Sequence, residues 1–434
     1  MKRLETVKPA SLYVVLFVFF LVVLFSCFFF SNGNLISRYY IWDEADTGMD
    51  YFNSLAYARD GMPYTQYQGI YPPLANLFFY ASARLVPRSA SDTWETSYDS
   101  LIEMRQTERD LRTYQSTMLP FLLYIGLICA LVGILIQYIL REKKGAAIKA
   151  IPLTTILSFG FTWGIERGNI ILLAFFFSLF FLAFYHSPRK ELREFSYICL
   201  SLAAGLKIYP AFLGLLLVYD KNWKAVGRTV LYGVVSLVLP CFFISDGING
   251  LAVFIQNLFS FGSRGDLGLH HTGSGLQDFF GNILAVAARL FHVDESQLYQ
   301  ARNALQWISY LACVAMLIQT VFYKGWKNWQ RITILCLIMN SFQSGAYYTL
   351  IYLLLPLVFF LLEEELLTSE NLLFFIPLSL VSLHIPLFDL DSVKMKAFLI
   401  QGSVVALWIV IVYVLVRKKH NNAHVERTEK KIQI

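Results

Sequence analysis

Charge is scarce in this chain: Asp, Glu, Lys and Arg make up 15% of its 434 residues, against 56% for the apolar types. A soluble domain carries about a quarter charged residues, so a surface that meets water on every side is excluded. Cysteine is sparse too. The six cysteines each lie inside an apolar run and no two stand at metal-ligand spacing, which excludes a disulfide framework or a thiolate metal site and leaves them as small apolar fillers. Walker, Rossmann and metal-binding motifs are missing, which argues against a nucleotide-sugar donor and against an ATP-driven pump. No repeat of spans is visible, which counts against a carrier built from duplicated halves. The net charge of +6 is not a nucleic-acid footprint. The basic residues sit in short loops and at the termini, where membrane proteins place them to set orientation.

What is present is a series of long apolar runs, each near the roughly 20 residues needed to span a bilayer. Lys2, Arg3 and Lys8 precede the first run, 11–30. It exceeds the about 7–15 residues of a signal-peptide core, so a retained span with an inside leader is expected. Basic clusters then alternate with polar segments along the chain. They predict an all-α polytopic membrane protein of about twelve transmembrane helices with both termini cytoplasmic. A single membrane domain is expected over 1–434, with an outer loop at 31–117, the remaining spans over 118–416, a second outer loop at 245–302 and a basic cytoplasmic tail at 417–434. Residues 195–219 are flanked by basic clusters on both sides and interrupted by Lys207, Tyr209 and Pro210. Proline removes a helix donor and a lysine in lipid is costly, so a broken helical hairpin is expected there.

The loop at 31–117 is far longer than a connector. It opens with Asp43, Glu44, Asp46 and Asp50, and Met49, Phe52, Leu55 and Ala56 follow at helical spacing. Asp46 and Asp50 would share one face of such a helix. Gly61-Met-Pro-Tyr64 and Ile70-Tyr71-Pro-Pro-Leu74 mark turns before a second apolar helix at about 74–85. Carboxylates on a solvated loop are common, so the acidic cluster alone does not make a site.

The string Asp46-Thr-Gly-Met-Asp50-Tyr-Phe-Asn-Ser, then Ala-Arg-Asp-Gly-Met-Pro-Tyr64 and Ile-Tyr-Pro-Pro-Leu74, resembles the polyprenol-phosphate-dependent GT-C glycosyltransferases, and within them glycosyltransferase family 87. Arg167-Gly168-Asn169, Ala204-Gly-Leu-Lys207-Ile-Tyr-Pro210 and the segment from Tyr347 to Pro356 follow in the family's order. The resemblance implies a GT-C-like fold and transfer of a sugar, mannose by default, from a polyprenyl-phosphate-sugar donor to a lipid or glycan acceptor. It places that transfer at the outer face, with inversion. Membrane lipids are the expected surroundings, with no nucleic-acid partner. No cofactor is expected, and no residue set supports a divalent metal.

Such a reaction needs a carboxylate base for the acceptor hydroxyl and a cation for the departing lipid phosphate. It also needs a groove for an isoprenoid tail. Asp50 stands at the position of the family's loop aspartate and is the expected base, with Asp46 as the substitute. Lys207, Arg167, His270 and His271 are the candidates for the donor phosphate. Their bland alternatives are a snorkelling lysine, an interfacial arginine paired with Glu166, and a solvated glycine-rich loop. Tyr64, Tyr71, Tyr209 and Tyr347 are candidates for contact with the sugar, although tyrosine at a membrane edge usually belongs to the aromatic belt. The alternative function from another class is a transporter or flippase of a lipid-linked glycan, which has little use for a large acidic loop.

Overall fold

Uncharged runs in lipid fold as helices because each backbone N–H and C=O must find a partner inside its own segment. The computed structural model describes residues 7–40, 47–59, 61–86, 111–263, 275–341, 347–388 and 395–432, and among these the regular structure is helical throughout. The first helix, α1 (Pro9–Phe30), carries no charged residue and begins with proline at a position where a backbone donor is not needed. It stops at Asn32 and Gly33, both with left-handed backbone, and the Gly33 N–H donates back to the Phe28 carbonyl at 2.9 Å.

The chain divides into two compact units, Phe25–Gly268 and the paired segments Met1–Leu24 and Leu269–Ile434. The first unit contains α2 (Asn34–Tyr40), α3 (Met49–Arg59), α4 (Pro73–Arg84), α5 (Gln115–Ile139), α6 (Ala146–Ile156) and α7 (Phe159–Arg167). It continues with α8 (Ile171–Phe184), α9 (Lys190–Leu206), α10 (Leu215–Tyr219), α11 (Trp223–Val238) and α12 (Asn249–Ser263). α8 packs on α9, α9 on α11, and α3 on α4, which in turn touches both α9 and α11. The loop between α3 and α4 is tied to the segment between α11 and α12 and to α12 itself. Asp246 accepts from the Tyr64 N–H at 2.8 Å and from the Thr65 hydroxyl, and Asn257 donates to the carbonyls of Tyr64 and Gly69. Beneath these polar ties Tyr64, Ile244 and Phe254 form a small apolar core.

The second unit contains α13 (Leu276–Phe291), α14 (Tyr299–Phe322), α15 (Asn328–Ser341), α16 (Leu354–Glu363), α17 (Ser369–Leu380) and α18 (Met395–Ile432). α15 is its centre, buried from Trp329 to Ser341. The Glu364 carboxylate gathers the Lys327 ammonium at 2.5 Å, the Trp329 indole N–H at 2.7 Å and the Asn371 amide at 2.6 Å. The N-terminal half of α1 joins this unit through Tyr13 and Ser382, whose hydroxyls lie 3.2 Å apart.

Among the described residues six helices are long and apolar enough to cross a membrane: Pro9–Phe30, Gln115–Ile139, Ala146–Arg167, Trp223–Phe242, Gln300–Phe322 and Met395–His420. Four apolar helices, Ile171–Phe184, Tyr209–Tyr219, Tyr347–Glu363 and Ser369–Leu380, are shorter. A multi-pass membrane protein stands, but the expected count of about twelve spans is not reproduced. The reason is length: 14 residues in α8 reach about 21 Å at 1.5 Å per residue, short of the ~30 Å hydrocarbon layer.

Candidate active site

Asp50 sits in the first turn of α3, where the helix dipole favours a negative charge. The helix is positioned from outside. Just before it, Gly48 with φ +75° donates its N–H to the Glu166 carbonyl at 2.7 Å, and the Thr47 hydroxyl donates to the Glu166 carboxylate at 2.9 Å. Arg112 holds the Thr47 carbonyl at 3.0 Å. Thr47 and Gly48 form a turn and the helix begins at Met49. Asp46, like Asp43 and Glu44, lies outside the described residues.

The partner of α3 is the end of α7. That helix closes on Gly168 with φ +63°, the Gly168 N–H reaching Ile165 and the Asn169 N–H reaching Gly164. A β-carbon on Gly168 would stand 2.8 Å from Cβ of Tyr51 and 2.9 Å from the Phe121 ring, so glycine is required here by both backbone sign and close approach. The turn aims its two flanking side chains at one carboxylate. Arg167 donates to Asp50 Oδ1 at 3.0 Å from Nη2 and to Oδ2 at 3.4 Å from Nε. Asn169 donates to Oδ2 at 2.6 Å. Asp50 and Arg167 keep 19% and 17% of their side chains exposed, so the pair is reachable from outside the protein.

Asn169 is fully buried and bonded through every group. Its Oδ1 accepts from the Ile171 N–H at 2.9 Å, which starts α8 and fixes the amide orientation. Its Nδ2 also donates to the Tyr71 hydroxyl at 3.2 Å, and its carbonyl accepts from the Tyr124 hydroxyl at 3.0 Å. The Lys207 ammonium lies 4.2 Å from the centre of the Tyr71 ring, a cation–π distance, and feels the charge of Asp50. Lys207 is placed there by the end of α9 at Leu206, after which its own backbone turns extended. One carboxylate and two cations are thus linked through Asn169 and Tyr71.

Tyr64 is fully buried and donates its hydroxyl to the Tyr71 carbonyl at 2.9 Å, so it braces the loop that carries Tyr71 and offers no exposed face to a ligand. Burial pushes the Tyr51 hydroxyl up to about 12 and the Tyr64 hydroxyl further, so both remain neutral. Tyr209 is half-buried two residues beyond Lys207. Tyr347 belongs to the second unit, buried, with the Lys396 ammonium 5.9 Å from its ring centre. His270 and His271 lie outside the described residues. The sequence offers Asn169 only as part of the Arg167-Gly168-Asn169 motif, with no chemistry of its own. Its signal was the polar residue directly after a helix-terminating glycine, a position that can begin the next helix.

The described part of the chain is an all-helical membrane protein with a charged site at the start of α3 and the ends of α7 and α9. Residues 69–342, well over half of the chain, match the model of glycosyltransferase family 87. The chain belongs to that family and is a membrane glycosyltransferase. The matched region holds Tyr71, Arg167, Asn169 and Lys207, and Asp50 precedes its start. Neither a curated protein nor a solved structure matches the chain.

Proposed function

We propose that this protein moves a hexose, mannose by family analogy, from a polyprenyl-phosphate-sugar to a lipid or glycan acceptor at the outer face of a bacterial plasma membrane. Both termini are cytoplasmic in this reading, as the placement of basic residues favours. The observation that carries it is one connected set of groups: Arg167 and Asn169 both donate to Asp50, Asn169 also donates to the Tyr71 hydroxyl, and the Lys207 ammonium lies over the Tyr71 ring.

Asp50 is the general base. Each of its oxygens has two lone pairs, so one can receive the acceptor hydroxyl proton while Arg167 and Asn169 hold the carboxylate still. As the acceptor oxygen bonds to the anomeric carbon, the bond from that carbon to the lipid phosphate breaks. The phosphate leaves with the electron pair. A single displacement from the opposite face inverts the anomeric centre. Lys207 meets the charge that grows on the phosphate, as preorganised cations do in other group transfers. Tyr71 fixes the lysine over its ring and Tyr209 borders the same turn.

The test is transfer from polyprenyl-phosphate-mannose to a lipid extract by purified wild type and Asp50→Asn. The asparagine keeps the size of the aspartate but takes no proton, so a fall of about 10²–10⁴-fold is expected for a lost base. Equal rates in the two folded proteins would remove Asp50 from that role. No product across several lipid-phosphate sugars would sink the donor class.

A further inference from the structure

The rings of Tyr57 and Tyr67 stack with their centres 4.8 Å apart and their planes 15° from parallel. Tyr57 belongs to α3, and Tyr67 to the loop that leads to α4. We infer that this pair is an acceptor subsite, a platform for the sugar that follows the one whose hydroxyl meets Asp50. The acceptor is then a glycan of two or more sugars and not a bare lipid alcohol. This inference rests on Asp50 as the base proposed above.

The first support is the burial pattern of α3. Every residue of that helix is buried except Asp50, Asn53, Tyr57 and the last one, Arg59. At about 100° per residue, Asp50, Asn53 and Tyr57 fall in one stripe, with Arg59 on the opposite side. The accessible face of α3 is therefore a strip that begins at the carboxylate and ends at the stacked rings. It climbs about 10 Å between Asp50 and Tyr57, further than one pyranose ring reaches, so the next sugar in a chain is the group that covers it. Side chains on a helix lean toward its N-terminus, which inclines the Tyr57 ring toward Asp50.

The second support is the chemical setting. Tyrosines of a membrane belt stand at the edge of the apolar layer, whereas Tyr67 has Thr65, Gln66 and Gln68 around it in sequence, all exposed. On the helix side the half-buried Asn53 amide lies one turn below Tyr57. A pyranose has an apolar C–H face and a rim of hydroxyls. Aromatic faces beside amides and hydroxyls offer both kinds of contact, and tyrosine itself joins an apolar body to a polar tip. Burial and the Tyr67 phenol beside it push the Tyr57 hydroxyl above its ordinary value, so it stays neutral and keeps its proton to donate.

The third support is rigidity. The loop that carries Tyr67 is closed by the Gly69 N–H, which donates to the Pro63 carbonyl at 2.8 Å. Asn257 holds the carbonyls of Tyr64 and Gly69, and Asp246 holds the Tyr64 N–H. Next to Tyr67, Gln68 has a left-handed backbone with φ +51°, an uncommon conformation for a residue other than glycine. Strain of that kind persists where the surroundings over-determine it, and it gathers at ligand clamps. A platform already fixed in place loses little freedom when a ligand lands on it.

The experiment uses the full chain in lipid nanodiscs and radiolabelled octyl mono- and disaccharides of mannose, glucose and galactose. Equilibrium dialysis without donor, net of empty nanodiscs, reads binding apart from transfer. At least one disaccharide should bind the wild type about tenfold more tightly than its monosaccharide, equivalent to about 1.4 kcal/mol. Tyr67→Ala should erase that ratio, and Tyr67→Phe, which keeps the ring, should retain it. Tyr67→Leu fills the space without an aromatic face and should also erase the ratio, which covers the case of an alanine that loosens the loop. Equal binding of the two sizes by wild type, or a ratio that survives in both the alanine and the leucine variants, would overturn the subsite. A disaccharide preference without transfer from polyprenyl-phosphate-mannose would sink the donor class and keep the platform. Transfer with no preference between the two sizes would sink the platform alone.

Discussion

The Asp50 carboxylate and the Arg167 guanidinium, 117 residues apart in sequence, form an ion pair at 3.0 Å that joins α3 to the end of α7. Arginine approaches both carboxylate oxygens, so it fixes the plane of the group as well as its position. A lysine could supply the charge and only one of the two contacts. Arg167→Lys should therefore lower kcat/KM by roughly 10–100-fold, the worth of a charged hydrogen bond of about 1.5–3 kcal/mol. Steady-state kinetics beside a melting curve check this, and a wild-type rate in the lysine variant would show that the second contact is idle.

Lys207 is expected to act on the departing phosphate and therefore on the chemical step. Lys207→Met keeps much of the side-chain length and removes the charge. A fall in kcat of about 10²–10³-fold is expected, the size seen when one transition-state donor is removed. Single-turnover measurements separate this from donor binding. A change confined to KM would mean that the lysine only docks the lipid.

Gly168 holds the turn between the two residues that grip Asp50. Gly168→Ala puts a methyl group 2.8 Å from Cβ of Tyr51 in a left-handed backbone. The backbone penalty alone is about 1–2 kcal/mol, and the collision drives α3 away from α7. We expect a lower melting temperature and a rate loss that added substrate does not restore. An alanine variant as stable as wild type would contradict the packing described here.

Asp246 tests the outer tie. Asp246→Ala leaves the Tyr64 N–H without its acceptor and frees Thr65, at a cost of about 1–3 kcal/mol for a half-buried unsatisfied donor. Hydrogen exchange should quicken at Tyr64 and around Tyr71 while α8 and α9 keep their protection. Uniform loosening of the whole chain would mean that the tie is not local.

Much of this was legible in the residues. The membrane class follows from the shortage of charge, and Met49, Phe52, Leu55 and Ala56 announced α3 by their spacing. The interruption at Lys207 was readable because a lysine and a proline stand inside an apolar run. The partner of Arg167 was not. Glu166 is its neighbour in sequence, but successive residues on a helix point about 100° apart and do not face each other. The true partner is set by the left-handed turn at Gly168, a tertiary fact. Asn169 was hidden for the same reason: its bonds to Asp50 and Tyr71 reach across 119 and 98 residues. Six of the expected spans are long enough to cross among the described residues, and the rest were not legible because apolar composition does not report where a helix ends.

The long separation of Asp50 from its partners has a consequence for biosynthesis. At about 5–20 residues per second, a ribosome makes Arg167 about 6–23 s after Asp50. Throughout that interval α3 lacks the anchors that Arg167, Asn169 and the Glu166 carbonyl provide. Nascent chains arrested before residue 160 should leave the segment around Asp50 open to protease, and chains arrested well beyond Ile171 should protect it. The Asp50 carboxylate thus gains its partners only when a later stretch of the chain has been made, so the order of synthesis sets the order in which this cluster assembles.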